Sequence, residues 1–500
     1  MVKLFLKCRD VNPNLPDSNG RTLLSFAASE GHEDVVRLLL EREGVDPNSL
    51  DSNGRTPLSF AAFQGHVGVV KLFLKCRDVN PNLPESNGRT PLSLAASEGH
   101  EDVVRLLLER EGVDPNSLDS NGRTPLSFAA SARHEDVVKL LLERESVDSN
   151  SLDNNNRTPL SFAASAGHEG VAKLLLEHRN ANPNLPDNNG RTPLSFAASG
   201  GHEGVVKLFL ERGDANPNLT DSKGRTPLSF AASKGYGGVV KLLLERRDTN
   251  PDLPDSNSQT PISFAAKWGR EDLVQLLLER EGVNPDSLDS NGRTPLSFAA
   301  SAGHGDIVKL LLERGNATPN SLDNNGRTPL SYAASGGHEG VVKLFLERGG
   351  VDPDSPDSNG RTPLSWAASR WGQGVVGLLL ECEGVNPDSS DSQGRTPLSY
   401  AASRGDERVV KLLLEREDVD LDSPDNKGRT PLSYAGSGGD ERVVKLLLER
   451  EGVNLDSSDS NREALLSQFA TELILSSQRY PFPGRQSTWW LNFAQIRNSS

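Results

Sequence analysis

Histidine is the residue of this 500-residue chain best suited to acid–base chemistry, because the charge of its imidazole changes near neutral pH. Eight of the nine histidines recur at one place in a repeated sequence, and only His178 lies elsewhere. A catalytic base works beside one nucleophile and one orienting acid, so eight copies have no catalytic use. We interpret the eight as turn residues that form hydrogen bonds ahead of a helix: His32, His66, His100, His134, His168, His202, His304 and His338.

Motifs for other chemistry are absent from the sequence. It contains no Gly-x-x-x-x-Gly-Lys-Ser/Thr, no Gly-x-Ser-x-Gly, no Cys-x-x-Cys and no His-Glu-x-x-His. The loop 46–54 gathers oxygen ligands that suit calcium, but its spacing breaks the EF-hand pattern and turn-forming Asn and Asp explain it better. We therefore predict no enzyme, no catalytic residue, no cofactor, no metal site and no small-molecule substrate.

Acidic and basic residues recur as pairs four places apart. The acid is Asp in twelve units and Glu85 in one, and the base is Arg in twelve and Gln259 in one. We interpret these residues as solvated ion pairs that line up along the loops. Exposed pairs of this kind contribute about 0 to 1 kcal/mol each.

One position changes residue type from unit to unit while the sequence around it barely changes. It precedes the turn glycine, or the residue that replaces this glycine. A binding surface would give this pattern, and so would an exposed position that tolerates change, so both interpretations stay open. The position holds Glu30, Gln64, Glu98, Ala132, Ala166, Gly200, Lys234, Trp268, Ala302, Gly336, Arg370, Arg404 and Gly438.

The eighth unit departs most from the others, and its changes lie close together. Ser258 replaces a turn glycine, and Trp268 fills the variable position. Aromatic and basic residues are favoured at binding hot spots. We predict a partner-contact patch in which an exposed tryptophan is flanked by basic groups. The patch comprises Lys234, Tyr236, Gln259, Lys267, Trp268 and Arg270.

A 34-residue unit positions all of these residues, and it recurs thirteen times from Asp17 to Ser458 without insertion or deletion. A fixed period of this length is typical of a solenoid, in which each unit stacks on its neighbours. In one unit, Asn53-Gly54 predicts a tight turn, Thr56-Pro57 predicts a helix start, and Gly65 predicts the end of that helix.

A second helix follows in each unit, and in the first unit the pattern predicts it over 33–43. Helices of about eight and eleven residues are too short to persist alone in water. Each must therefore be stabilised by packing against other helices. We predict an all-α solenoid whose stability lies in the interfaces between units.

The run Asp-x-x-Gly-x-Thr-Pro-Leu-x-x-Ala-Ala-x-x-Gly-His-x-x-Val-Val-x-Leu-Leu-Leu resembles the ankyrin repeat. The resemblance implies helix-turn-helix units joined by β-hairpin-like loops, with ligands held on the concave side by the hairpin tips and first helices. Two features differ: the period is 34 instead of about 33, and Ser59 stands where the family usually has His. A serine hydroxyl reaches less far, so different bonding between loops is expected.

The resemblance divides the chain into four parts. Residues 1–16 resemble the second half of an earlier repeat, and 17–458 are the thirteen repeats. Residues 459–478 are expected to form a degenerate capping repeat, and 479–500 an irregular tail. Because the first helix that should cover the start is missing, we expect either that this end frays or that the chain is a fragment or a misassigned start of a longer protein, and we favour the second.

The amino-acid composition limits which binding partners and which cellular compartment are expected. The formal net charge of -15 opposes non-specific binding to nucleic acid. No apolar stretch reaches the roughly 20 residues that span a membrane. Val2 to Cys8 repeats Val70 to Cys76, so the start is interpreted as repeat helix instead of a signal peptide. Three widely spaced cysteines fit a reducing compartment, either cytoplasm or nucleus.

The favoured function is a non-enzymatic scaffold that binds a protein partner on the concave face of the array. The alternative is the recognition arm of a larger signalling protein or enzyme, whose effector domain would lie upstream of Met1. The sequence does not identify the partner.

Overall fold

The computed structural model describes residues 12–370 and 372–450, which form helices joined by turns and loops, without a strand. These residues belong to two compact units, one ending at Asn284 and the other beginning at Pro285. The expectations for 459–478, for 479–500 and for most of 1–16 concern residues outside this part, and they stay predictions.

Helices occur in pairs, one pair in each 34-residue repeat of the described part. The first compact unit contains α1 Leu23–Ser29, α2 Glu33–Leu40, α3 Pro57–Gln64, α4 Val67–Lys75, α5 Pro91–Glu98, α6 Glu101–Glu109, α7 Pro125–Ser131, α8 Glu135–Leu142, α9 Pro159–Ala166, α10 Glu169–Glu177, α11 Pro193–Gly200, α12 Glu203–Arg212, α13 Pro227–Lys234, α14 Gly237–Glu245, α15 Pro261–Lys267 and α16 Glu271–Leu278. The second contains α17 Pro295–Ala302, α18 Gly305–Glu313, α19 Pro329–Gly336, α20 Glu339–Arg348, α21 Pro363–Ala368, α22 Gln373–Leu380, α23 Pro397–Arg404, α24 Glu407–Leu414, α25 Pro431–Gly438 and α26 Glu441–Leu448.

Local signals set the first helix of each pair. In α3 the hydroxyl of Thr56 accepts a hydrogen bond from the Ser59 N–H at 3.0 Å, and Pro57 occupies the first helical position. Gly65 ends the helix with a φ of 75°. Ser59, which replaces the usual histidine, is buried, and its hydroxyl lies 2.9 Å from that of Thr56. The serine therefore bonds within its own cap, as its short reach predicts.

The second helix is shorter than the sequence indicates in the first repeat. We predicted 33–43, whereas α2 ends at Leu40. The chain must leave the helix there to form the loop, and Gly44 takes a φ of 80° in that loop. Val36 and Leu39 lie on the buried side and have no solvent exposure.

Packing between repeats buries the helices. Within each compact unit, first helices contact the first helices of neighbouring repeats, and second helices contact second helices. Ala61 and Ala62 are fully buried in α3, and Val70 and Phe73 are fully buried in α4. Complete burial of a large apolar side chain contributes roughly 1.5 to 3 kcal/mol. Within each compact unit the core is therefore a row of interfaces between repeats.

The repeated histidines connect neighbouring repeats. The Nε2 atom of His66 lies 2.9 Å from the carbonyl oxygen of Ser29 in the preceding repeat, and His100 and Phe63 repeat this contact at 2.9 Å. The imidazole also packs against the preceding turn glycine, because a β-carbon added to Gly31 would lie 2.7 Å from His66 Nδ1. Six of the eight repeated histidines form this bond, and each of the six thus joins two repeats.

Asparagine side chains form a second link, between the loops that follow the second helices. Asn48 donates from Nδ2 to the Asp78 carbonyl at 2.6 Å and accepts from the Asn80 N–H at 2.9 Å. The side-chain amide therefore bonds to both edges of the next loop. We call this arrangement the loop clamp, and residues 30 and 32 positions later complete it.

The prediction of solvated acid–arginine pairs is wrong for ten of the thirteen acids, which are buried, whereas Asp17 is exposed and Glu85 and Asp255 are half-buried. The Asp51 side chain is only 1% exposed. Its Oδ1 accepts hydrogen bonds from the N–H groups of Asn53 at 2.9 Å and Arg55 at 2.7 Å, and its Oδ2 contacts the Arg55 guanidinium at 2.8 Å. The acid therefore holds the turn from the inside, because its oxygens replace water as acceptors for backbone donors.

Arg133 stands in a left-handed turn position that glycine fills in neighbouring repeats. Its φ is 66°, whereas Gly99 and Gly167 have 77° and 72° at the equivalent places. Replacing Arg133 with glycine should therefore stabilise the protein by about 0.5 to 1 kcal/mol, because a residue with a Cβ atom is strained there. The urea concentration at the midpoint of unfolding measures the gain.

The matched control for this prediction is Ala132→Gly, one residue earlier. Ala132 has a φ of -99°, so glycine relieves no strain there and only adds freedom to the unfolded chain. This control should lower the midpoint of unfolding. If both substitutions shift the midpoint in the same direction, strain at residue 133 does not explain the result.

Candidate functional site

Trp268 is the most prominent side chain of the predicted patch. Its backbone N–H bonds to the Phe264 carbonyl at 3.1 Å, so the residue closes α15. Gly269 follows with a φ of 69° and turns the chain toward α16. The tryptophan side chain is 56% exposed. The structure therefore presents the indole to solvent at the end of a first helix, as predicted.

Two lysines accompany the indole. Lys267 Nζ lies 5.8 Å from the centre of the Trp268 ring, a distance at which the cation is attracted to the aromatic face. Lys234 is the last residue of α13 in the preceding repeat and is exposed. Both lysines end a first helix, so they occupy equivalent ends of adjacent repeats.

Tyr236 and Arg270 occupy the place of the repeated histidine, and both side chains reach back to the preceding repeat. A β-carbon added to Gly201 would lie 2.7 Å from the Tyr236 ring, and one added to Gly235 would lie 2.8 Å from Arg270 Nε. These two residues therefore join repeats as the histidines do. Arg270 is also exposed and Tyr236 is half-buried, so both contribute to the surface.

Gln259 is not part of the exposed patch. It is only 8% exposed, and its N–H donates to Asp255 Oδ1 at 2.8 Å. The sequence did not indicate this burial, because the residue stands where the repeats usually carry an arginine that we had placed in solvent. The surface is formed by Lys234, Tyr236, Lys267, Trp268 and Arg270.

Comparison with known proteins gives the family. The model for ankyrin repeats, which represents three copies, matches residues 1–84, 43–119, 111–187, 179–255, 239–323, 315–391 and 368–459. These matches extend over more than half of the chain. The chain belongs to the ankyrin repeat family. A search among curated proteins found no match to it.

Ankyrin repeats are generally modules for protein–protein interaction. In this ankyrin array the patch residues lie on first helices and on the turns that follow them, which is where the variable position occurs. A partner that binds such a surface contacts the side chains at the helix ends, so their shape and charge determine which partner fits. The described residues contain no group of three or more His, Cys, Asp or Glu placed to hold a metal ion.

Sequence reasoning missed a stack of arginines and aromatic rings that links the ankyrin repeats. The Arg191 guanidinium lies 4.1 Å from the centre of the Phe196 ring and 4.8 Å from that of Phe230 in the next repeat. The signal was available, because an aromatic residue stands five places after the arginine in most repeats. Gln259 carries no charge, so the eighth repeat lacks the cation of this stack.

In the later ankyrin repeats the ring also bonds to the buried acid. The Tyr332 hydroxyl donates to Asp323 Oδ2 at 2.6 Å, and Trp366 Nε1 donates to Asp357 Oδ2 at 3.1 Å. Burial, reinforced by the bond to Asp323, raises the pKa of Tyr332 to about 12. This hydroxyl therefore keeps its proton, and with it the bond to Asp323, at pH values where an ordinary tyrosine ionises.

The described part of the ankyrin array has no helix that is both long and apolar enough to cross a lipid bilayer.

Proposed function

We propose that the chain is a non-enzymatic interaction scaffold that binds a protein partner on the concave face of the array. The proposal rests on the exposed indole of Trp268, which lies at the end of the first helix of its repeat. Large aromatic side chains are the residues most often responsible for binding energy at protein interfaces. Lys234, Lys267 and Arg270 add positive charge around the indole, in a chain whose net charge is -15.

The partner favoured by this surface is a protein segment with an apolar pocket for the indole and acidic groups around it. Opposite charges at the rim of an interface accelerate association and select the partner. The negative net charge of the chain opposes nucleic acid as a partner. The same surface would serve if the chain is the recognition arm of a longer protein, and we propose cytoplasm or nucleus as its location.

The experiment that tests the proposal compares proteins captured from a cell lysate by the wild-type chain and by Trp268→Ala. A captured protein is then purified and its affinity measured by calorimetry. Removal of the indole should weaken binding about 30-fold or more, since a hot spot is worth about 2 kcal/mol. Lys234→Glu should slow association, because it reverses one charge at the rim.

Leu118→Ala is the matched control, because Leu118 is 57% exposed but lies in a loop after a second helix, away from the patch. It should leave the affinity unchanged. Unchanged binding by Trp268→Ala, or an equal loss with Leu118→Ala, would remove the patch from the proposal. Activity of the purified chain on a substrate would contradict the non-enzymatic part.

A further inference from the structure

The loop clamp recurs at twelve junctions whose two loops are both described, and its central residue differs among them. It is asparagine at eight junctions, and each of these asparagines both donates to the carbonyl 30 residues later and accepts from the N–H 32 residues later. The eight are Asn14, Asn48, Asn82, Asn116, Asn150, Asn184, Asn218 and Asn320.

Aspartate replaces the asparagine at three of the remaining junctions and keeps only half of the clamp. Asp388 Oδ2 accepts from the Asp420 N–H at 2.8 Å. Asp252 accepts from the N–H of Asn284, and Asp354 accepts from that of Asn386. An ionised carboxylate has no proton to donate, so the bond to the carbonyl is missing.

The unmatched oxygen is buried at all three junctions. Oδ1 of Asp252, of Asp354 and of Asp388 has essentially no solvent contact and no hydrogen-bond partner. In the asparagine clamps the amide nitrogen bonds to a carbonyl oxygen 30 residues later, which here belongs to Gly282, Gly384 and Asp418. Two acceptors at this place repel each other unless a proton lies between them.

At the remaining junction the residue is also aspartate, but both of its carboxylate oxygens have hydrogen-bond donors. Both oxygens of Asp286 are bonded by Thr318, whose hydroxyl donates to Oδ2 at 2.7 Å and whose N–H donates to Oδ1 at 3.0 Å. A charged carboxylate is therefore satisfied there. Asp286 is an internal reference for an aspartate clamp that needs no proton.

We propose that Asp252, Asp354 and Asp388 are acid-sensitive clamps, each of which joins its two loops fully only when its carboxyl group carries a proton. The protonated carboxyl donates to the carbonyl and accepts from the N–H, as the asparagine amide does. Two such junctions lie in the second compact unit and one in the first. These junctions strengthen as the pH falls.

Burial, which is the largest influence on each of the three carboxyls, favours the protonated form. Burial raises the pKa of all three carboxyls, and the N–H bond described above lowers each of them less. The carboxylate of Asp352 adds to the rise at Asp354, where the Ser389 hydroxyl opposes it. The carboxylates of Asp420 and Asp418 add to the rise at Asp388.

The sign of the effect follows from these shifts. A folded-state pKa above the unfolded value means that the protonated form is favoured by folding. The stabilisation is fully present below the unfolded pKa of about 4 and is lost as the pH rises through the folded pKa. Neutral pH therefore leaves the three junctions at their weakest.

Amide hydrogen exchange of the full-length chain, read by mass spectrometry, tests the proposal. The triple variant Asp252→Asn, Asp354→Asn and Asp388→Asn supplies the missing donors. At neutral pH its loops 282–284, 384–386 and 418–420 should exchange about two- to tenfold more slowly than those of the wild type, the effect of one regained hydrogen bond. At pH 4 the ratio should approach one, because the wild-type carboxyls are then protonated.

Asn320→Asp provides the converse test in a junction that is now complete. Its loop 350–352 should exchange faster at neutral pH and recover at pH 4. Asp286→Asn is the control, and it should slow exchange at neither pH. A triple variant with no slowing at neutral pH, a ratio equal at both pH values, or equal slowing in Asp286→Asn would each overturn the proposal.

Discussion

Replacing Phe209 with alanine is expected to lower the free energy of unfolding of the first compact unit by about 3 to 5 kcal/mol. Phe209 lies in α12 and is fully buried. Its helix packs against α10 and α14 in the neighbouring repeats. The cavity would therefore weaken two interfaces, and in a linear array each repeat depends on its neighbours for stability. Urea unfolding followed by circular dichroism measures the loss.

Phe63→Ala is the control for this substitution. It removes the same ring from α3, but Phe63 is 40% exposed, so less apolar contact is lost. We expect it to cost less than half as much as Phe209→Ala. Equal costs would show that burial between second helices is not what stabilises the array.

The second large effect is expected from Asp391→Ala, which should cost about 3 kcal/mol. Asp391 is buried beneath its turn, and its Oδ2 accepts from the Tyr400 hydroxyl at 2.6 Å and from Arg395 at 2.8 Å. Its Oδ1 accepts from the N–H groups of Gln393 and Arg395. Alanine would leave all of these donors without their acceptor. Thermal unfolding measures the loss, and Tyr400→Phe, which removes one donor, should cost less.

The contribution of Asp391 to stability should depend on pH, and the direction follows from its pKa. Burial alone would raise the pKa of Asp391 and of Asp425, but hydrogen bonds from tyrosine, arginine and backbone donors outweigh it and lower both. Folding therefore favours the ionised acids. Their stabilisation is present above the unfolded pKa of about 4 and is lost as the pH falls through the folded value.

Alkaline pH acts on the tyrosine partners. Burial, with the bond to Asp425, raises the pKa of Tyr434 to about 12, and burial with the bond to Asp391 raises that of Tyr400. Their stabilisation is fully present below the unfolded pKa of about 10 and is lost as the pH rises through the folded values. Unfolding midpoints of the wild type should fall at both extremes, and Asp391→Ala should flatten the acid side. An acid side as steep as that of the wild type would contradict the assignment.

Neighbouring aspartates thus respond to acid in opposite ways. Asp391 is surrounded by donors, so protonation weakens its turn. Asp388, only three residues earlier, retains an oxygen without a donor, so protonation completes its clamp. The difference arises from the number of donors that face each carboxylate. Asp391 is buried, and Asp388 is half-buried with its Oδ1 out of contact with solvent.

Features decided by near neighbours in the sequence were predictable. Thr56, Pro57 and Gly65 set the bounds of α3, because a cap, a missing N–H and a left-handed turn depend on a few adjacent residues. The end of α2 was not predictable in the same way. Residues 41–43 favour helix, but the chain must turn to reach the next repeat. The end of α2 is therefore set by how neighbouring repeats pack against each other.

Some features of the candidate surface could likewise be predicted from the sequence and others could not. Exposure of Trp268 followed from its place in a variable position, and the structure agrees. The burial of Asp51 and Gln259 did not follow, because the spacing of a pair does not show on which side of the turn it lies. Contacts between an arginine and the ring of the following repeat join residues 39 positions apart, such as Arg191 and Phe230. The regular spacing of arginine and ring is visible in the sequence, but the contact with the ring of the next repeat is visible only in the structure.

Six of the repeated histidines bond backward to the preceding repeat, and the eight asparagine clamps bond forward to the next one. His66 bonds to Ser29, and Asn48 bonds to Asp78 and Asn80. Among repeats that carry both the histidine and the asparagine, deleting or inserting one complete repeat therefore joins donors and acceptors of the same kinds. Unequal recombination between such genes would change the copy number by whole units while preserving a foldable product. Array length could thus change in steps of one repeat during evolution.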